Sequence, residues 1–440
     1  MLGAPRHDAA AAAAHAQHHD AASSSAAGAA PSSPRRLVLA CAALLHRGDV
    51  AGARRAAADA LSASDPRGDA SDRLAHHFAR ALARRIDHDD DDHPPLASVR
   101  EEETAAATAR PPASSPAPAS PIPPPPPSAT AYLAYNQIAP FLRFAHLTAN
   151  QAILDATSSG GARRRLHIVD LDAAHGVQWP PLLQAIAALA DPPPEVRITG
   201  AGPNLDVLLR TGDRLTSFAT SLNLPFRFHP LVLPSTSHFA AVPAAYPAAG
   251  LELHPDETLA VNCVLFLHKL GGGDGEVAAF LSWVKSMNPT VVTLAEKEAT
   301  TSIGTGARDD KSPEEDNLHR RVAEAMEYYA AVFDALEATV PPGSGERLAV
   351  EREVLGKEID DAVVGRGGGA GRAGRGFESW AAAARAAGLS PRPLSAFAVA
   401  QARLLLRLHY PSEGYVAEEA RGACFLGWQT WPLMSVSSWQ

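Results

Sequence analysis

Four polar residues crowd one short stretch: Asp170, Asp172, His175 and Gln178 in LHIVDLDAAHGVQWPPLLQAI, residues 166 to 186. Two carboxylates, an imidazole and a carboxamide at this spacing could grip hydroxyl or amino groups, or relay a proton. The pattern around them is strand, turn and helix. An apolar run ends at Asp170, and LLQAIAALA follows a proline pair, Pro180-Pro181, at the first helical turn, where the missing amides are not needed. This places the four residues beyond the carboxyl end of a strand, where open α/β sheets bind their ligands.

A working nucleotide or S-adenosylmethionine turn is rich in glycine, because glycine tolerates positive φ and lets backbone approach the ligand. With Asp170 as the strand-end acid, Asp172 and Ala174 take the first two glycine places and only Gly176 remains. The next apolar run, VRITGAG (196–202), meets no acid before Asp206 to hold a ribose. A disabled cofactor site is the expectation, and no cofactor is assigned. Asp170, Asp172, His175 and Gln178 stand as a candidate altered pocket; otherwise they satisfy strand and helix ends. No Walker loop, HExxH or GxSxG elbow is found, so no catalytic or metal-binding residue is assigned. His268, after an apolar run, reads as structural.

The elements that must position this turn alternate. LHIVDLD, VRITGAG, FRFHPL (226–231), TLAVNCVLFL (258–267) and TVVTLAEK (290–297) are short and apolar, most of them nearly continuously so, as in a parallel sheet covered on both faces. Helical periodicity separates several of them, and Leu208, Leu215 and Leu222 recur seven apart. ACFLGW (423–428) and LMSVSSW (433–439) read as a closing pair of strands. The expected fold is α/β: a methyltransferase-like Rossmann core, its mostly parallel sheet ending in an antiparallel hairpin, plus an N-terminal helical cap.

The cap is expected over residues 35–156, where Leu37, Ala40, Cys41, Leu44 and Leu45 line one helical face and 131–156 forms a long helix. Residues 1–34 are a low-complexity tail. The stretch 87–128, opening with DHDDDDH and ending in PIPPPPPS, reads as a disordered acidic and proline-rich insertion, its acidic run a solvated loop. The core spans 160–440 and carries a glycine-rich loop at 365–376. A net charge of −9 argues against sequence-independent DNA binding, which needs a surplus of cations. Arg163-Arg164-Arg165 and the three arginines of the glycine-rich loop are local exceptions. No apolar run of membrane-spanning length occurs, so no membrane association is expected.

Several motifs in fixed order resemble the plant GRAS family of transcriptional regulators. Leu166, His167, Ile168, Val169 and Asp170 resemble its VHIID signature. RLAVEREVLGKEI (347–359) resembles its PFYRE region. Trp380 with Gly388, then Leu426-Gly427-Trp428, then Ser438-Trp439 resemble its SAW region. HFARAL, HGVQWPPLLQAI and LHYPSEGY are most similar to the lateral suppressor and monoculm branch, associated with axillary meristem initiation and shoot branching. The resemblance implies a nuclear regulator, not an enzyme, associating with other GRAS proteins and DNA-binding transcription factors, its DNA contact indirect. Leu208, Leu215 and Leu222 are then candidate partner-binding residues, although a heptad on one short helix also suits a core ridge. Trp428 and Trp439, at the ends of the terminal strands, are expected to close the core. Direct DNA binding by the domain, and a small-molecule-binding protein using the altered pocket, remain as alternatives.

Overall fold

The computed structural model describes residues 33–92, 129–159, 165–173, 175–189, 192–233, 251–270, 273–298, 318–364 and 375–440. The tail, the insertion beyond residue 92 and most of the glycine-rich loop lie outside these. Among the described residues one mixed sheet runs in the order β3-β2-β1-β4-β5-β9-β8-β7. β1 (Arg165–Asp170), β2 (Glu195–Gly202), β3 (Phe226–Val232), β4 (Thr258–Val264) and β5 (Val291–Lys297) pair in parallel. β9 (Trp431–Trp439) lies antiparallel to β5, then β8 (Ala423–Trp428) antiparallel to β9. A two-residue β6 (Pro391–Arg392) pairs with the end of β9.

This is the expected Rossmann-like core, with one departure. The closing hairpin is a three-stranded meander, because YVAEEA forms an outer strand, β7 (Tyr415–Ala420), antiparallel to β8. Its exposed Glu418 and Glu419 hid it from an apolar pattern; charge on an edge strand blunts edge-to-edge pairing.

Strand residues alternate between two cores. Ile168, Ile198, Ala260 and Val291 pack with α5 (Phe141–Ser159), α6 (Trp179–Leu189) and α7 (Leu205–Ser221). Val169, Ala201, Val261 and Val292 face the other way, against α8 (Gly273–Ser286) and α12 (Phe377–Ala386). The central strands are therefore buried on both sides, which is why their sequences lack alternation.

The cap comprises α1 (Pro34–His46), α2 (Val50–Ala63), α3 (Ala70–Asp92) and α4 (Ala129–Ile138). Asp49 caps α2, its carboxylate accepting from the Gly52 amide at 2.8 Å. Two expectations need correction. The acidic run begins as helix, since α3 continues to Asp92; only the remainder, from residue 93, lies outside the described residues. The long helix expected over 131–156 is two, α4 and α5, broken at Pro140, whose ring cannot continue a helix.

Residues 35–156 do not build the cap alone. α9 (Leu318–Thr339), α10 (Gly345–Val350), a π turn (Glu351–Leu355) and α11 (Gly356–Val364) join it, placing Phe78, Leu82, Phe333, Leu336, Val350 and Ile359 in one core. Inside that junction buried Arg73 grips buried Glu351 with two bonds, 2.8 and 3.1 Å. α13 (Ala396–His409) packs on α5 and β7.

Candidate functional site

The turn after β1 is organised by a hydrogen-bond network that no ligand is needed to complete. Asp170 ends β1 fully buried. Its Oδ2 accepts from the Trp179 indole at 2.9 Å, and its Oδ1 from Asn262 Nδ2 at 3.2 Å. Asn262, in the middle of the sheet on β4, exchanges two 3.1 Å bonds with Gln178, and its Oδ1 accepts from Thr293 Oγ1 at 2.8 Å. Gln178 Nε2 also reaches Asn150 Oδ1 at 3.1 Å, while Asn150 Nδ2 returns to the Gln178 backbone carbonyl at 2.9 Å. Three β-strands, the turn and α5 are thus tied through side chains that burial would otherwise penalise. Burial pushes the Asp170 carboxyl up to about 6, against the opposing hydrogen bonds of Asn262 and Trp179.

The glycines that remain serve the protein's own packing. Gly176 has φ +62°, and a Cβ there would fall 2.6 Å from Thr211 Cγ2 of α7. A Cβ on Gly200, at the end of β2, would meet the Phe228 ring at 2.5 Å and Ala173 at 2.9 Å. Where a cofactor turn leaves backbone bare for a ligand, this one leaves room for Phe228, Ala173 and Thr211. The residues present do not fit S-adenosylmethionine: the acid is bonded to Trp179, and the glycine space is filled from within.

The four sequence-derived pocket residues therefore separate. Asp170 and Gln178 join one buried network. Asp172 is half-buried and pairs with Lys269, and His175 is exposed, its ring 6.1 Å from that of Tyr132 on α4. Tyr132 is raised to about 12 by burial and by the nearby Asp172 and Asp170, so its phenol stays protonated. Sequence reasoning missed Asn150, Asn262 and Thr293. The available signal was Asn262 itself, a lone carboxamide inside TLAVNCVLFL, which needs a buried partner. His268 Nδ1 donates to buried Glu296 at 2.9 Å, and Glu296 also accepts from the Phe266 and Leu267 amides, so this pair shapes the end of β4.

The leucine ridge turns inward. Leu208 and Leu215 are buried and Leu222 is partly covered, so in this structure they offer a core, not a free surface. Among the remaining motif positions, His167 is buried between Thr199 Oγ1 (2.8 Å) and Arg197 (3.1 Å); burial and Arg197 lower it to about 3, and it is neutral. Gly388 has φ +84° just past α12, the backbone geometry that ends a helix with an αL residue. Trp380, Trp428 and Trp439 are all buried. Trp428 donates to Asp334 at 2.6 Å and stacks edge-on to Tyr415, Gly427 passes closely over Val416, and Ser438 Oγ donates to the Arg392 carbonyl. Arg165, the described member of the basic cluster, pairs with Asp256 and Glu195, and Arg375 lies over the Trp380 ring.

A methyltransferase-ordered Rossmann sheet, its cofactor turn closed by its own side chains and joined by a cap of helices from two separate segments of the chain, defines a scaffold-type variant of that fold. Comparison with known proteins narrows the class. Residues 34–440 match the GRAS domain family. Over 419 residues, 92% of this chain and 87% of the relative, the sequence is 58% identical to Protein MONOCULM 1 of Oryza sativa subsp. japonica. It is 41% identical to Scarecrow-like protein 18 of Arabidopsis thaliana, covering 86% of this chain and 84% of the relative. The crystal structure of SCL7 in Oryza sativa superposes with a TM-score of 0.70 at 31% identity, covering 93% of this chain and all of that one. The chain belongs to the GRAS domain family of plant transcriptional regulators. Among the described residues no helix is long and apolar enough to cross a membrane.

Proposed function

We propose that this chain is a nuclear transcriptional regulator that works through protein partners and has no catalytic step of its own. Its partners are other GRAS proteins and DNA-binding transcription factors, and its developmental output is axillary meristem initiation and shoot branching. The observation that carries the reading is the closed network of Asp170, Trp179, Asn262, Gln178 and Asn150, which uses the binding end of the sheet for cohesion. The extensive identity to MONOCULM 1 supports the developmental part. A net charge of −9 and the ion-paired Arg165 support indirect DNA contact.

The test is selection from a random duplex DNA pool by the full-length chain at physiological salt, with and without plant nuclear extract. Enrichment of a defined site only when extract is present is the expected result. Enrichment by the purified chain alone would mean that it reads bases itself.

A further inference from the structure

We infer that the outer face of α13 is a docking site for a single amphipathic helix of a partner protein, one with an apolar stripe flanked by acidic residues. This rests on the proposed partner-dependent function and names a surface for it. α13 is two-faced. Ala398, Val399, Ala402 and Leu406 are buried against the molecule, and Ser395 caps the first turn through the Ala398 amide at 3.1 Å. The opposite side carries Phe397, Leu404 and Leu408, which remain 59, 48 and 65% exposed. With Gln401 between them, the spacing is four, three, four, the a/d seam of a helix that packs along another helix.

Size and charge select the occupant. Three such side chains present on the order of 300 Å² of apolar surface, within the range of functional patches. That is too little for a dimer of this chain, whose two sides would need to bury about 1,200 Å² or more. It suits one docked helix held by anchors at i, i+4 and i+7. The helix has no acidic residue, whereas Arg403, Arg407 and His409 are exposed on it, within a chain of net charge −9. Arg403 is engaged with the Ala417 carbonyl of β7 at 3.0 Å. Arg407 has no ion-pair partner among the described residues and flanks the seam beside Leu408, where a partner's glutamate would reach it.

The test uses the full-length chain and two fluorescent helical peptides, each with leucine at a and d; one has glutamate and the other lysine at e and g. The acidic peptide is expected to bind at least tenfold more tightly than the basic one. Leu404→Asp should weaken it tenfold or more, and Arg407→Glu should reverse the preference while leaving the thermal melt unchanged. Equal affinity for both peptides, or binding indifferent to both substitutions, would overturn the proposal. A wild-type dimer that Leu404→Asp makes monomeric would also overturn it, by assigning the face to a second copy. The same variants in the extract-dependent DNA selection separate the two readings. Loss of enrichment with Leu404→Asp supports this face, whereas enrichment retained in both variants removes the face and leaves the proposed function standing.

Discussion

Asp170 is the residue on which the site turns, and its chemistry is measurable. Its carboxyl, held at about 6 by burial against an ordinary 3.8, keeps its proton longer in the folded chain than in the unfolded one. Protonation therefore favours the fold in the window between these values, and that contribution is lost as pH rises through about 6. Relative to Asp170→Asn, the wild-type protein should lose about 2 kcal/mol of stability between about pH 4 and pH 7. Urea unfolding of both proteins at the two pH values reads this; parallel pH profiles would show that Asp170 does not hold its proton. At this scale the sequence was half legible. The loss of glycines at Asp172 and Ala174 is visible in the linear order, and so is the polar character of Asp170 and Gln178. That Trp179 folds back on Asp170, and that Asn150 and Thr293 converge on Asn262 from separate elements, depends on long-range pairing that no local spacing encodes.

Between elements, the main strap is Arg73 on α3 against Glu351 in the π turn. Both are buried, and Glu337 and Arg347 extend the cluster at 2.7 and 3.8 Å. Arg73→Ala should destabilise the protein by about 3 kcal/mol, because buried Glu351 loses both of its hydrogen bonds from Arg73 and keeps only the longer Arg347 contact. The Arg73→Met, Glu351→Leu pair should cost much less than the sum of the single changes, as a double-mutant cycle by chemical denaturation would show; additive losses would mean that the two act independently. The terminal meander has its own anchor in Trp428, bonded to Asp334 of α9 and packed on Tyr415. Trp428→Ala is expected to cost about 3–5 kcal/mol. A variant with a wild-type melting temperature but no partner binding would reassign this tryptophan to an interface. Four of the five parallel strands were legible because burial on both faces leaves them nearly apolar throughout; β3, at the edge of the sheet, is largely exposed and alternates with Arg227 and His229. β7 and the break at Pro140 were not: glutamates mask the first, and flanking apolar residues continue the helical period across the second.

For the whole molecule, the cap and core are interleaved in sequence. Helices from 318–364 complete a cap that begins at residue 34, so two segments far apart in sequence share one hydrophobic core. A proline-rich insertion within the first segment does not interrupt this assembly, because long connections add little closure entropy. The result is a sheet whose carboxyl end is occupied from within; under the proposed function, recognition falls to the surface. The central claim, that the Rossmann turn is scaffold and not a cofactor grip, is tested most directly by titrating S-adenosylmethionine into the full-length chain in a calorimeter. No heat beyond dilution up to about 1 mM is the expected result. Micromolar binding that disappears in Asp170→Ala would contradict it and return the altered pocket to the centre of the function.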